Sequence, residues 1–127
     1  MKKLIPFFII AQTKSDYQSA KELFIEYAES LGFDLCFQGF DKELEQLEAM
    51  YSTPQGGIIL IIENNIAMGC AGIRQHKSGI AELKRMYIKP GLRGKGFGKT
   101  LLNKSIELAK ELGYKKIYLD TLSTMLA

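Results

Sequence analysis

The sequence predicts an α/β domain, layered in the manner of α+β proteins: a mixed, mostly antiparallel sheet flanked by helices. Three observations carry that expectation. Apolar residues recur every three or four positions in two segments, 16–30 and 98–112. Between them lie three short strand-like runs separated by turn residues, the pattern of an antiparallel meander. A last strand-like run, 116–121, follows the second helix. The unit from 80 to 121 therefore reads as a right-handed crossover between neighbouring, near-parallel strands.

The 127 residues suit one domain, 1–127, and 46% hydrophobic residues supply its core. Seventeen Lys+Arg against 14 Asp+Glu give a net charge of +3, too mild to argue for nucleic acid. The basic residues Lys84, Arg85, Lys89, Arg93, Lys95 and Lys99 nevertheless cluster, either as a solvated face or as a seat for an anionic ligand. Cys36 and Cys70 show no pairing pattern and read as reduced, partly buried thiols. With His76 as the single histidine, a multi-histidine metal site is excluded, and no metal is expected. The start, Met1 to Ala11, imitates a signal peptide, but Pro6 interrupts its apolar run and no small-residue cleavage site follows. It is too short for a membrane span. The expectation is a cytoplasmic protein without membrane or nucleic-acid partners.

In order along the chain, residues 5–11 read as a first buried strand. Ser15, with Gln18 three positions on, has capping-box spacing and opens a helix over 16–30. Its inward residues are Ala20, Leu23, Phe24, Tyr27, Ala28 and Leu31, and Gly32 ends it. Residues 33–40 read as extended or irregular. Asp41 can cap a second helix running to about Met50, and Pro54 with Gly56-Gly57 breaks the chain. The run 57–63 is apolar without alternation, which predicts a strand buried on both faces. Asn64-Asn65 is a two-residue hairpin turn, and 66–75 is the return strand with Gly69 and Gly72 as bulge candidates. After a turn at Lys77-Ser78-Gly79 comes the strand 80–88, ended by Pro90. The helix 98–112 should bury Leu101, Leu102, Ser105, Ile106, Ala109 and Leu112, with Gly113 closing it.

The segment Arg93-Gly94-Lys95-Gly96-Phe97-Gly98 lies where strand gives way to helix. The first N–H groups of a helix have no partner inside it, and the helix dipole adds positive potential there. Glycines let an oxygen approach those amides, and Arg93, Lys95 and Lys99 add formal charge. A diphosphate suits all of this. A P-loop would need glycine at position 93, and a dinucleotide loop would need G-x-G-x-x-G after the first strand of a parallel sheet, so both nucleotide readings fit poorly. A plain structural turn is the other alternative.

Residues 82–90, followed by Leu92 to Leu102, resemble the Gcn5-related N-acetyltransferases, the GNAT family. The coenzyme loop of that family reads [RQ]-x-x-G-x-[GA], and Arg93, Gly96 and Gly98 match it position by position. The strand before the loop and the strand after the helix, residues 116–121, extend the match. The resemblance follows the element order of the whole chain and is strongest over 80–121. It implies an acyl-CoA N-acyltransferase-like fold and an enzyme that moves an acetyl group from acetyl-CoA to a primary amine. The amides from Arg93 through Gly94, Lys95, Gly96, Phe97 and Gly98 to Lys99 would hold the coenzyme diphosphate. Met86, Tyr87 and Ile88 would pair with the pantetheine arm, and an N–H near Met86 or Tyr87 would stabilise the oxyanion. Glu82 is the candidate base, working through water. Its other reading is a surface carboxylate paired with Lys84 or Arg85. Tyr87 and Tyr118 read as packing residues.

Members of the family continue after the last of these strands with a helix that bears a tyrosine and with two more strands. This chain stops at Ala127, so it reads as C-terminally truncated, with an apolar sheet edge left to cover. A homodimer would cover that edge. The alternative to an active enzyme is a module that binds coenzyme A with little or no catalysis. The acceptor is a small-molecule or peptide amine.

Overall fold

The computed structural model describes residues 5–32 and 39–119. Strand β1 (Phe7–Ile10) leads to helix α1 (Lys14–Ser30) and the short helices α2 (Phe40–Glu45) and α3 (Leu47–Met50). Then come β2 (Gly57–Glu63), β3 (Ile66–Lys77) and β4 (Ile80–Ile88), a 3-10 turn at Pro90–Leu92, helix α4 (Phe97–Glu111) and β5 (Lys116–Leu119). The strands form one sheet in the order β1-β2-β3-β4-β5. Neighbours are antiparallel except β4 and β5, which run parallel and are joined through α4. Residues 33–38 and 120–127, including Cys36 and the end of the expected last strand, lie outside the described residues.

The apolar run of β2 divides between two cores. Ile58 and Leu60 pack with Leu23 and Phe24 of α1 and with Leu47 and Tyr51, while Ile59 and Ile61 pack with Leu101, Leu108 and Ala109 of α4. Both faces of β2 are covered, so alternation has nothing to signal. Each such side chain contributes roughly 1.5–3 kcal/mol by leaving water. In contrast, β1 is not the buried strand expected over 5–11. Among the described residues it is a four-residue edge strand, and Phe7 is 52% exposed.

Helix α1 starts earlier than expected and is capped by Thr13, not Ser15. The Thr13 hydroxyl accepts the Asp16 N–H at 3.0 Å, and the Asp16 carboxylate accepts the N–H groups of Gln12 (3.0 Å) and Thr13 (3.2 Å). This reciprocal box satisfies three amides, and Gln18 instead donates to Glu22. Thr13→Ala should lower stability by about 1 kcal/mol, roughly 3–6 °C in Tm for a chain this size. A thermal melt indistinguishable from that of the native chain would show that the box carries none of the helix's stability.

The second helix is likewise capped elsewhere, at Gly39 (φ 74°), with Asp41 in its first turn, and it breaks at Gln46 into α2 and α3. The Asn64-Asn65 turn has φ values of 52° and 66°, as a tight hairpin requires. In α4, Leu108 is buried where the periodicity indicated Leu102, Ile106 and Leu112, which are only half-buried.

The bulges fall beside the expected glycines rather than on them. On β3, Ile61 pairs with Gly69 and Ile62 with Ala67, which leaves Met68 as the extra residue. Gly69 and Gly72 serve close approach instead. A Cβ on Gly69 would lie 2.8 Å from Ile61 Cδ1, and one on Gly72 would lie 2.7 Å from Tyr51 Cε1. A second extra residue on β3 is His76, since Gln75 pairs with Ala81 and Lys77 with Ile80, and a further bulge is on β4. Cys70 pairs with Tyr87 and Gly72 with Lys84, so β4 advances three residues while β3 advances two. Arg85 lies in that kink at φ 58°, a left-handed conformation that costs a non-glycine residue about 1–3 kcal/mol. The kink reverses the strand's facing: Ala81 and Leu83 belong to the α4-side core, but Tyr87 belongs to the α1-side core. No helix among the described residues is long and apolar enough to cross a membrane.

Candidate active site

The described pairing of β4 with β5 stops short of the kink in β4. Pairing between β4 and β5 runs from Ile80↔Lys116 to Leu83↔Leu119. Strand β4 continues to Ile88, and there, among the described residues, it is paired only with β3. A cleft of about 650 Å³ lies along this one-sided stretch. One wall is Met86, Tyr87 and Ile88, another is Tyr27, Ser30 and Leu31 of α1, and the floor is Leu92, Arg93, Gly94 and Gly98.

The structure thus brings six of the sequence-predicted residues to one cavity: Met86, Tyr87, Ile88, Arg93, Gly94 and Gly98. Lys95, Gly96, Phe97 and Lys99 adjoin it as the loop and first turn of α4. Gly94 (φ 79°) and Gly96 (φ 85°) turn the chain through left-handed conformations with open space around them. Among the described residues no side chain caps α4, which leaves its first amides to a ligand or water. Phe97 packs its ring on Phe8, with centroids 6.4 Å apart. Glu82 is half-buried on β4 between Arg74 of β3 and Tyr118 of β5, and it is not part of the cleft wall. Arg85, one of its two expected partners, is bonded to Glu43 instead. Tyr118 is not a packing residue of the interior: it is 47% exposed and stacks on His76 at 4.8 Å.

Two polar clusters had no signature in the sequence, because each joins elements far apart in the chain. The first borders the cleft. Tyr87 donates its hydroxyl to Glu26 Oε2 at 2.5 Å, and Lys89 Nζ lies 3.2 Å from Glu26 Oε1. Arg93 donates Nε–H to the Ile88 carbonyl at 2.7 Å and sets its guanidinium over the Tyr87 ring, 5.4 Å from the centroid. The Tyr87 hydroxyl above all, with Lys89 and Arg93 behind it, holds the Glu26 carboxyl below the usual range despite its partial burial. Burial, then the Glu26 bond and charge, push Tyr87 up to about 12. Tyr87→Phe should therefore raise the Glu26 titration midpoint, as read by carbon NMR of the glutamate carboxyls. An unmoved midpoint would show that the short bond does not form in solution.

The second cluster lies behind the kink. Arg85 grips Glu43 with two bonds, Nε to Oε2 at 3.0 Å and a terminal nitrogen to Oε1 at 2.8 Å. Tyr51 donates its hydroxyl to Glu43 Oε2 at 3.0 Å, and Tyr17 donates to the Tyr51 carbonyl at 2.8 Å. Burial alone would raise the Glu43 carboxyl, but the bonds and charge of Arg85, with help from Tyr51 and Lys84, hold it low. Cys70 is fully buried rather than partly so, and its thiol donates to the Arg85 carbonyl at 3.2 Å. Burial pushes that thiol well above its ordinary range, so it stays protonated and unreactive.

Residues 17–126 match the model of the acetyltransferase (GNAT) family. An uncharacterised N-acetyltransferase of Schizosaccharomyces pombe is 37% identical over 114 residues, covering 87% of this chain and 69% of its own length. An uncharacterised N-acetyltransferase of Escherichia coli K12 is 36% identical over 84 residues, which cover 64% of this chain and 50% of that protein. In fold, the chain superposes with a TM-score of 0.78 on the crystal structure of a predicted acetyltransferase from Clostridium acetobutylicum with acetyl-CoA. That match covers 94% of this chain and 83% of the other at 16% identity, a likeness of fold alone.

Proposed function

The chain belongs to the acetyltransferase (GNAT) family, and from that premise we propose that it transfers the acetyl group of acetyl-CoA to a primary amine of a small molecule or peptide. One observation carries the reading: the one-sided stretch Met86–Ile88 of β4 runs along a cleft that ends at the uncapped, basic N-terminus of α4. A strand with one free edge can pair with the amides of a pantetheine arm as it would with another strand. The amides from Gly94 to Lys99, with the charges of Arg93, Lys95 and Lys99, suit the diphosphate at the end of that arm.

In this reading the free amine attacks the thioester carbonyl directly. The C–N bond forms, the C–S bond breaks, and the electron pair leaves on the coenzyme sulfur, which takes up a proton. Negative charge gathers on the carbonyl oxygen on the way, and the N–H of Met86 meets it there, since the Tyr87 N–H is on the β3 side. Glu82 takes the proton of the acceptor ammonium. Its place outside the cleft wall makes water the carrier. The reading treats residues 1–127 as one cytoplasmic domain.

Calorimetric titration with acetyl-CoA, coenzyme A and ATP, followed by thiol release with a panel of amines, tests the proposal. Expected are micromolar binding of both coenzyme forms, much weaker binding of ATP, and thiol release with at least one amine class. ATP binding as tight as acetyl-CoA, or no coenzyme binding by the folded chain, would overturn it.

A further inference from the structure

The kink at Arg85 lies at the start of the one-sided stretch of β4, and it is held in place by a side chain from another layer. An L residue keeps a left-handed conformation inside a strand only when its surroundings over-determine it. Here they do so at three points. The Arg85 carbonyl accepts from the buried Cys70 thiol, the guanidinium lies over Phe40 at 5.3 Å from the ring centroid, and both its bonded nitrogens reach Glu43. Glu43 is only 6% exposed, and both its oxygens are occupied, one by Arg85 alone and one shared between Arg85 and Tyr51. A charge this deeply buried is not needed to close the core, since apolar side chains of like volume would do as well. What it specifies is where the extra residue of β4 sits.

That position decides which amides reach the cleft. Along a strand, successive N–H groups point alternately to the two neighbours. Removing the extra residue would shift everything after it by one place, returning Tyr87 to the α4 side and exchanging the amides that face β3 with those that face the cleft. The coenzyme loop, which follows the 3-10 turn, would keep its own conformation.

We propose that Glu43 is a positioning residue for acetyl transfer: by clamping Arg85 it holds the kink that turns the Tyr87 amide to β3 and presents the Met86 amide to the thioester carbonyl. The inference rests on the coenzyme reading above. Coenzyme A shares the pantetheine arm but lacks the carbonyl, so losing the clamp should weaken both forms and cost acetyl-CoA the carbonyl bond in addition. A merely structural role would affect both alike.

The test is calorimetric titration of the native chain and of Glu43→Gln with each coenzyme form. The native chain should bind acetyl-CoA about fivefold more tightly than coenzyme A, the worth of one hydrogen bond. In Glu43→Gln that preference should vanish, so acetyl-CoA affinity falls about fivefold further than coenzyme A affinity does. If Glu43→Gln does not fold, the Glu43→Leu, Arg85→Met pair removes both charges from the interior and releases the kink, with the same expected loss of preference. A folded variant that keeps the native preference overturns this inference and leaves the coenzyme reading standing. A native chain that binds neither form overturns both.

Discussion

A chain carrying Arg93→Glu and Gly96→Glu is expected to bind acetyl-CoA at least about a hundredfold more weakly than the native chain. Charge-assisted bonds contribute about 1.5–3 kcal/mol each, and both changes act on the same anionic group. Arg93 loses its charge and acquires the opposite one. At position 96 a carboxylate would compete with phosphate for the amides of α4, since an acidic side chain at a helix N-terminus is itself a good partner for them. Gly96 also sits at φ 85°, where a side chain is strained by about 1–2 kcal/mol, which disturbs the loop further. The sheet should survive, because Arg93 is exposed and no atom lies within 4 Å of a Cβ at Gly96. Titration checks the affinity and circular dichroism the fold. Unchanged affinity in a folded variant would move the diphosphate away from this loop.

Arg85→Met should destabilise the chain by about 3 kcal/mol at pH 7, the lower end for breaking a buried pair because a quarter of the Arg85 side chain is exposed (25%). The variant leaves Glu43 charged, buried and short of its main partner. The pH dependence gives this prediction its signature. In the native chain the Glu43 pKa is depressed, so its contribution is present above the ordinary carboxylate pKa and lost as pH falls through the folded value. Without Arg85, burial dominates and the folded pKa rises above the unfolded one. The variant then regains stability on acidification, as Glu43 takes up a proton. The gap between native and variant should be widest near neutrality and narrow toward about pH 4. Urea melts at several pH values read it directly. A gap that does not change with pH would mean that Glu43 is not the charge left behind.

Much of this was legible in the chain itself, and the legible parts share a cause. The α1 and α4 stripes, the Asn64-Asn65 turn, the glycine stops at Gly32 and Gly113 and the Arg93–Gly98 loop all depend on residues within a few positions of one another. The errors were also local where two local solutions competed. Thr13 and Ser15 are both good caps two residues apart, and Thr13 prevailed because Asp16 could return its bond. Gly69 and Gly72 have the composition of bulges, yet tertiary crowding from Ile61 and Tyr51 is what requires them.

The sequence by itself determined the layered α/β class, the order of the elements and the helix-opening basic loop, because periodicity, capping and glycine conformation act over one or two turns of chain. Only the tertiary structure decided that β1 is an edge, that the kink of β4 sits at Arg85, that Glu43 holds it, and that Glu26 meets Tyr87 across the cleft mouth. The Glu43–Arg85 bond spans 42 positions and the Glu26–Tyr87 bond 61. No local rule relates residues so far apart. Their meeting follows from how two helices settle on one face of the sheet, and it is there that the cleft acquires its shape.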